Sequence, residues 1–250
     1  MKWRGHMKIF DMHCHVDLMP DMLQFAKEIS DENIQILSMT TTPKAYEKEL
    51  SFFKNNKAII PALGLHPQLI KERINELKLV EKYIPNAKYI GEVGLDFNRQ
   101  FYATKEQQII AFDTIIKKCT ESKGKIISIH SVKSAKQVLD ILEKYNCCNS
   151  CKCILHWYSG DAKQLERAVK MGCFFSVNLK MLESTNGKRI VNRIPYERIL
   201  VESDAPFIND IKSTKALHDI LTETIKELFD QRPDILLDNL YENSLYIIQN

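Results

Sequence analysis

Five of the seven histidines in this 250-residue chain stand at or just beyond the ends of short apolar runs, and two acids occupy equivalent places. His13 and His15 close Ile9-Phe10-Asp11-Met12, His66 ends the run from Ile59 to Leu65, and Glu92, His130, His156 and Asp204 follow in chain order. Imidazole and carboxylate are the donors that suit borderline and hard divalent cations. Donors dispersed in this way predict a metal-dependent hydrolase in a parallel βα barrel, where every strand delivers its C-terminal end to one face. An HxH pair on a strand places both rings on one side, because side chains alternate with period two.

Each residue also has a structural reading. His13 and His15 can be ligands or a buried, hydrogen-bonded pair. Glu92 lies inside Tyr89-Ile90-Gly91-Glu92-Val93-Gly94-Leu95-Asp96, and an ionised carboxylate in an apolar strand is costly unless paired or bound to a metal. No lysine or arginine presents itself as its partner, so Glu92 is expected to be a metal ligand. His130 after Lys125–Ile129 and His156 after Cys153–Leu155 would each, alone, read as satisfied core histidines; their matching places at strand ends point to ligands. Asp204 follows Ile199–Ser203 and precedes Ala205-Pro206, the position of a base or ligand on a last strand, or of a turn cap. Its neighbour Glu202 reads as structural.

Apolar strands alternate with amphipathic helices along the whole chain, the signature of βα units. Strands are predicted at 8–12, 34–39, 58–64, 88–93, 125–129, 153–156, 173–177 and 198–202, giving an α/β fold of the TIM (β/α)8 barrel type in a single domain, 1–250. Thr42 before Pro43 marks a helix start, and Thr104 with Gln107 and Ser134 with Gln137 fit the capping-box spacing. Leu69, Ile70, Ile74, Leu77, Val80 and Ile84, and Phe112, Ile115, Ile116 and Cys119, form stripes at helical spacing and read as core faces. A helix is expected from Lys212 to about Phe229 and another stretch from Pro233 onward.

Hydrophobic content of 44% is ordinary for a soluble globule, and a net charge of +3 permits a polyanionic substrate without arguing for one. No basic stripe of the kind a duplex-binding protein carries is present. No apolar stretch approaches the roughly 18 residues of a membrane span, and no secretory h-region stands at the N-terminus, so no membrane association and a cytoplasmic location are expected. Met1–His6 precedes a second methionine, Met7, and reads as an extension; His6 is set aside from the site. Seven cysteines without a secretory signal are expected to be reduced. Four of them crowd into Cys147–Cys153, where Cys148 and Cys151 have CxxC spacing. That cluster reads as a thiol-rich loop, with redox chemistry or metal binding as the alternatives.

Phe10–His15, Gly64-Leu65-His66-Pro67, Gly91–Asp96, Ile129-His130-Ser131, His156–Gly160 and Glu202–Pro206 together resemble the motifs of the TatD family of metal-dependent nucleases, within the amidohydrolase superfamily. They occur in family order and span about residues 9 to 207. Within the family, Thr40–Pro43, Gly64–Leu69 and Leu155–Gly160 most resemble the QatD branch, associated with a bacterial anti-phage system, which implies other Qat proteins as partners.

The resemblance implies two divalent ions, Mg2+, Mn2+ or Zn2+. His13, His15, Glu92 and Asp204 would surround one, and Glu92, His130 and His156 the other. Asp204 would be general base, Glu92 the bridge, and His66 a phosphate contact. Gln68 departs from the family where a further histidine is common, and Val132 where arginine is common, with Lys133 next to it. The Arg-Asn segment expected after Pro206 is not evident in Phe207–Leu217. Phosphodiester cleavage from an end of single-stranded DNA is the expected activity. Phe97, Phe101, Trp157 and Tyr158 are available to stack bases, and Lys133, Arg99 and Lys180 to meet phosphates. Hydrolysis of a C–N bond in a small molecule or modified base, and a non-catalytic scaffold in a defence complex, are the rival readings.

Overall fold

A computed structural model describes residues 9–30 and 33–249; His6 and the rest of the N-terminal extension lie outside the described residues. Among the described residues the strands are β1 (Ile9–Cys14), β2 (Ile34–Met39), β3 (Ile59–Ala62), β4 (Tyr89–Asp96), β5 (Ile126–Val132), β6 (Lys152–His156), β7 (Phe174–Val177) and β8 (Ile199–Val201). Parallel ladders join β1-β2-β3 and β4-β5-β6-β7-β8 in chain order. Single residues stitch the two seams. Leu63 N–H donates to Tyr89 O (2.9 Å) and Gly91 N–H to Leu63 O (2.8 Å), while Asp204 N–H donates to His13 O (2.9 Å) and His15 N–H to Ala205 O (2.8 Å). The sheet therefore closes into the expected TIM barrel, with helices in the connections.

Alternation along the strands fills the interior in layers. Phe10, Met12, Leu37, Met39, Ala62, Ile126, Ile154, Phe174 and Leu200 form one inner apolar cluster. Ile247, from the C-terminal helix Leu237–Gln249, joins it. Continuing the same parity leads from Ile126 to Ser128 and His130, from Ile154 to His156, and from Leu200 to Glu202 and Asp204. β1 breaks the rule: its pairing with β2 shifts register between Asp11 and Cys14, and Cys14 packs in the outer core while Met12 packs inside. A bulge of this kind re-aims the residues after it. It brings His13 and His15 to the centre although Phe10 and Met12 already face inward.

β4 and β5 extend to Asp96 and Val132, past the polar residues at which the apolar runs stop, because each continues to pair with its neighbour. The Thr42 side chain accepts from Ala45 N–H, as expected. The two predicted capping boxes do not form. Thr104 closes a short 3-10 turn and gives its hydroxyl to Phe101 O (2.8 Å), and the Ser134 hydroxyl donates to Leu95 O (2.7 Å), tying the end of β4 to the next connection. The last two helices run Thr214–Gln231 and Leu237–Gln249, the second starting later than Pro233.

Candidate metal centre

Glu92 is the hub at the C-terminal rim. Its Oε2 lies 3.3 Å from His13 Nε2, 3.1 Å from His15 Nε2 and 3.1 Å from His66 Nε2. Its Oε1 lies 2.6 Å from His130 Nδ1 and 2.9 Å from His156 Nε2. Each carboxylate oxygen thus faces its own set of imidazoles, the arrangement a bridging ligand requires. Asp204 enters from the end of β8, with Oδ1 3.7 Å from His13 Nε2 and 3.6 Å from His15 Nε2. All six expected ligands are buried and meet at one place.

This donor set fits a cation. Asp204 Oδ1 is buried and has no hydrogen-bond partner. His13 with His156 and Asp204, and His13 with His15 and Glu92, each bring three donor atoms within 4.8 Å of one another. The His13 and His156 rings stack at 3.8 Å and 12°. Burial, and then the neighbouring His156, hold His13 well below the usual imidazole range, so it stays neutral as a ligand must. Burial alone would raise the Glu92 carboxyl, but His66, His156, His130 and His13 together hold it well below the carboxylate range. Burial pushes Asp204 up to about 7.

Behind the rings stands a second layer, which fixes ring orientation and basicity in metal sites. His13 Nδ1 meets Ser128 Oγ (2.8 Å), His130 Nε2 meets Asp96 Oδ2 (3.1 Å), His15 Nδ1 faces Asp17 Oδ1 (3.9 Å) and His156 Nδ1 faces Glu202 Oε1 (3.6 Å). His66 differs. Its Nδ1 accepts the Gln68 backbone N–H (3.2 Å), so in the neutral ring the proton sits on Nε2 and is donated to Glu92. Proximity groups His66 with Glu92 and His130, but the tautomer makes it a donor, suited to an anionic oxygen rather than to a cation.

Asp96, Ser128, Asp17 and Phe207 were not among the sequence candidates. Asp96 and Ser128 were nonetheless signalled by period two: Ser128 precedes His130 by one alternation on β5, and Asp96 closes the Glu92 strand. Glu202, read as structural, accepts from Trp157 N–H (3.1 Å), Asn178 Nδ2 (2.8 Å) and the Ser176 hydroxyl.

A cavity of about 370 Å³ opens over the centre, lined among others by Gln68, Asn98, Ser131, Val132, Trp157 and Phe207. Trp157, expected to contact substrate, lines this cavity. Lys133 is not in this lining; it is exposed beyond Val132, in a residue with φ of +53°. Tyr158 is no stacking platform, since it is buried against Phe175 with its hydroxyl on Asp161 O. Phe97 packs on Tyr102 and Lys105, and neither it nor Phe101 lines the cavity. Lys180 pairs with Glu183 (2.8 Å), and Arg99 is exposed outside the lining. Phe207 is 59% exposed and meets the His15 ring edge-on at 5.2 Å.

Residues 10–248 match the family described as TatD related DNase. An uncharacterized metal-dependent hydrolase of Buchnera aphidicola subsp. Baizongia pistaciae is 30% identical, over 82% of this chain and 80% of its own. Deoxyribonuclease TATDN3 of Homo sapiens is 24% identical, over 83% and 81%. Among solved structures, the TatD homologue YJJV of Escherichia coli superposes with a TM-score of 0.81 at 19% identity, covering 97% of this chain and 98% of that one. No helix among the described residues is long and apolar enough to cross a membrane.

Proposed function

Because this chain belongs to the TatD related DNase family of metal-dependent hydrolases, we propose that it cleaves phosphodiester bonds at an end of single-stranded DNA, in the cytoplasm, as part of anti-phage defence. The observation that carries the reading is the division of Glu92, one oxygen toward His13 and His15 and the other toward His130 and His156, with the unpartnered Asp204 Oδ1 beside the first pair. His13, His15, Glu92 and Asp204 would hold one divalent ion, and Glu92, His130 and His156 a second. Such ions polarise a phosphoryl oxygen and make water a better nucleophile near neutral pH.

The chain's own groups do the rest. Asp204 takes the proton as water attacks phosphorus, and the bond to the leaving oxygen breaks as that oxygen takes a proton from solvent. His66 Nε2–H reaches a non-bridging oxygen, and Trp157 and Phe207 hold a terminal base by its faces. A mouth built from side chains above a 370 Å³ cavity suits an unpaired end better than a duplex. The defence setting rests on the QatD-like segments Thr40–Pro43, Gly64–Leu69 and Leu155–Gly160.

The test is a panel of single strands, duplexes, RNA, nucleotides and modified bases, each with Mg2+, Mn2+ or Zn2+ and with chelator. Shortening of single-stranded DNA that chelator stops is expected, and Glu92→Gln and Asp204→Asn should each abolish it while circular dichroism stays native. Full turnover by either variant would remove the mechanism. Turnover confined to a modified base would replace the substrate by a C–N bond.

A further inference from the structure

Six cysteines collect at the other end of the barrel, away from the metal centre. Cys153 stands at the start of β6 and Cys173 just before β7; Cys147, Cys148 and Cys151 flank the short turn leading into β6, and Cys119 is on the helix Lys105–Ser122. All are free thiols, and of these six Cys148 alone is not fully buried. Five of the sulfurs form a line. Cys147 Sγ lies 3.9 Å from Cys153 Sγ, and Cys148 Sγ lies 3.8 Å from Cys173 Sγ. Cys148 also faces Cys153, and Cys147 also faces Cys151.

A line is the wrong shape for a zinc knuckle. Tetrahedral zinc at about 2.3 Å from each sulfur needs four thiolates mutually adjacent. Among the described residues no three of these cysteines bring their sulfurs within 4.8 Å of one another. Pairs in contact are what disulfide chemistry needs, because a bond of about 2.05 Å forms from neighbouring sulfurs by side-chain rotation.

We propose that this line is an oxidisable thiol relay, in which Cys148 is the entry point for a peroxide and two disulfides, Cys148–Cys173 and Cys147–Cys153, are the end state. Cys148 has the partial exposure of a reactive thiol, and hydrogen bonds from Cys153 and Cys173 favour its thiolate. The Cys148 thiolate attacks the peroxide O–O bond, giving the sulfenic acid and one water or alcohol. The Cys173 thiol, whose proton the facing Cys148 and burial retain, then attacks that sulfur as this proton passes to the departing hydroxide, which leaves as water.

The bond can then move inward by exchange. Cys153 attacks Cys148 as its thiol proton passes to the released Cys173 sulfur; Cys147 then attacks Cys153, and its proton goes to the released Cys148. The net result is a Cys147–Cys153 bond with Cys148 and Cys173 free to react again. Each bond uses one peroxide, two electrons and both thiol protons, so the balance closes with two peroxides for two disulfides.

Trypsin separates the partners. Cys147, Cys148 and Cys151 fall in Tyr145–Lys152, Cys153 in Cys153–Lys163, and Cys173 in Met171–Lys180. The full-length protein is treated with hydrogen peroxide, alkylated and digested without reductant. Because Cys147 and Cys148 share Tyr145–Lys152, the expected end product is one three-peptide species, Tyr145–Lys152 joined to both Met171–Lys180 and Cys153–Lys163 and lighter by about 4 Da than its parts, preceded at limiting peroxide by two-peptide species each lighter by about 2 Da. Cys148→Ser should suppress both links, and Cys147→Ser should leave two-peptide species only, because Cys148 can then hold Cys173 or Cys153 but not both. Sulfinic acid on Cys148 with no crosslink, or both crosslinks persisting in Cys148→Ser, would overturn the relay. So would stoichiometric metal retained by the thiols of the untreated protein. The wild-type map alone decides if a variant does not fold.

Discussion

Glu202→Gln tests whether the carboxylate behind His156 tunes the metal centre or only braces loops. Glu202 Oε1 accepts from Trp157 N–H and Asn178 Nδ2, Oε2 accepts from Ser176, and Oε1 stands 3.6 Å from His156 Nδ1. Glutamine keeps one oxygen for Trp157 and Asn178, and the Ser176 hydroxyl can rotate to accept from the new amide. Geometry survives and charge is lost. A hydrogen bond to a charged group contributes roughly 1.5–3 kcal/mol, against roughly 0.5–1.5 kcal/mol for a neutral one, so three weakened bonds cost about 3–4.5 kcal/mol. In a chain of this size that lowers Tm by about 6–18 °C.

Metal affinity separates the two roles. Loss of an acid behind a ligating histidine weakens metal binding by about 10–100-fold. Competition of the variant and wild type against a fluorescent chelator reads this directly, with calorimetric unfolding run alongside. If Glu202→Gln loses stability as calculated but binds metal with wild-type affinity, Glu202 serves the Trp157 and Asn178 segments only, and the proposed ring support is wrong.

Three further outcomes follow from single residues. His66→Asn should leave metal affinity within a few-fold of wild type and raise KM, because the Nδ1 of His66 is occupied as an acceptor; a lost metal would make it a ligand. Phe207→Ala should raise KM for single-stranded DNA by about fivefold or more at little cost in kcat, since stacking contributes roughly 1–3 kcal/mol per base; unchanged KM would remove Phe207 from the substrate path. Glu49→Gln addresses pH. Burial, and then Asp17, push the Glu49 carboxyl well above the usual range, and its Oε2 is unpartnered. The folded state therefore binds this proton more tightly, and the resulting stability is present below the unfolded pKa of about 4.3 and lost as pH rises through the folded value. The variant should match wild type near pH 4 and melt higher near pH 8; a lower Tm at pH 8 would refute the assignment.

Strand positions were legible because each apolar run is a barrel strand, and the side chains that gather around Glu92 were legible because they stand at the ends of those runs. What escaped the sequence is set by tertiary pairing. The bulge between Asp11 and Cys14 leaves no mark in Asp11-Met12-His13-Cys14, yet without it the period that turns Phe10 and Met12 inward would turn His13 outward. Ser134 and Thr104 have capping-box neighbours, but nearby carbonyls of Leu95 and Phe101 take their hydroxyls instead. Tyr158 and Lys133 are available for substrate by residue type, but one is buried and the other is exposed outside the cavity lining. Phe207 was passed over because nothing in its surroundings distinguishes a rim aromatic from a core one.

The arrangement behind the rings sorts the histidines by chemistry where distance to Glu92 does not. Three of the five imidazoles are backed by an acid, His15 by Asp17, His130 by Asp96 and His156 by Glu202, and His13 is backed by the Ser128 hydroxyl. Where the acceptor is within hydrogen-bond reach, as at His130 and His13, it holds the outer N–H and leaves the inner nitrogen with a lone pair for a cation, whereas the acids behind His15 and His156 act through charge at 3.9 and 3.6 Å. The Gln68 N–H behind His66 does the reverse and turns its inner nitrogen into a donor. A centre built this way needs no basic surface to attract a phosphodiester: Glu92 and Asp204 bring two negative charges, two divalent ions would bring four positive ones, and the inner shell would present net positive charge at the cavity floor. That is how a chain of net charge +3 without a basic stripe can still receive a polyanion.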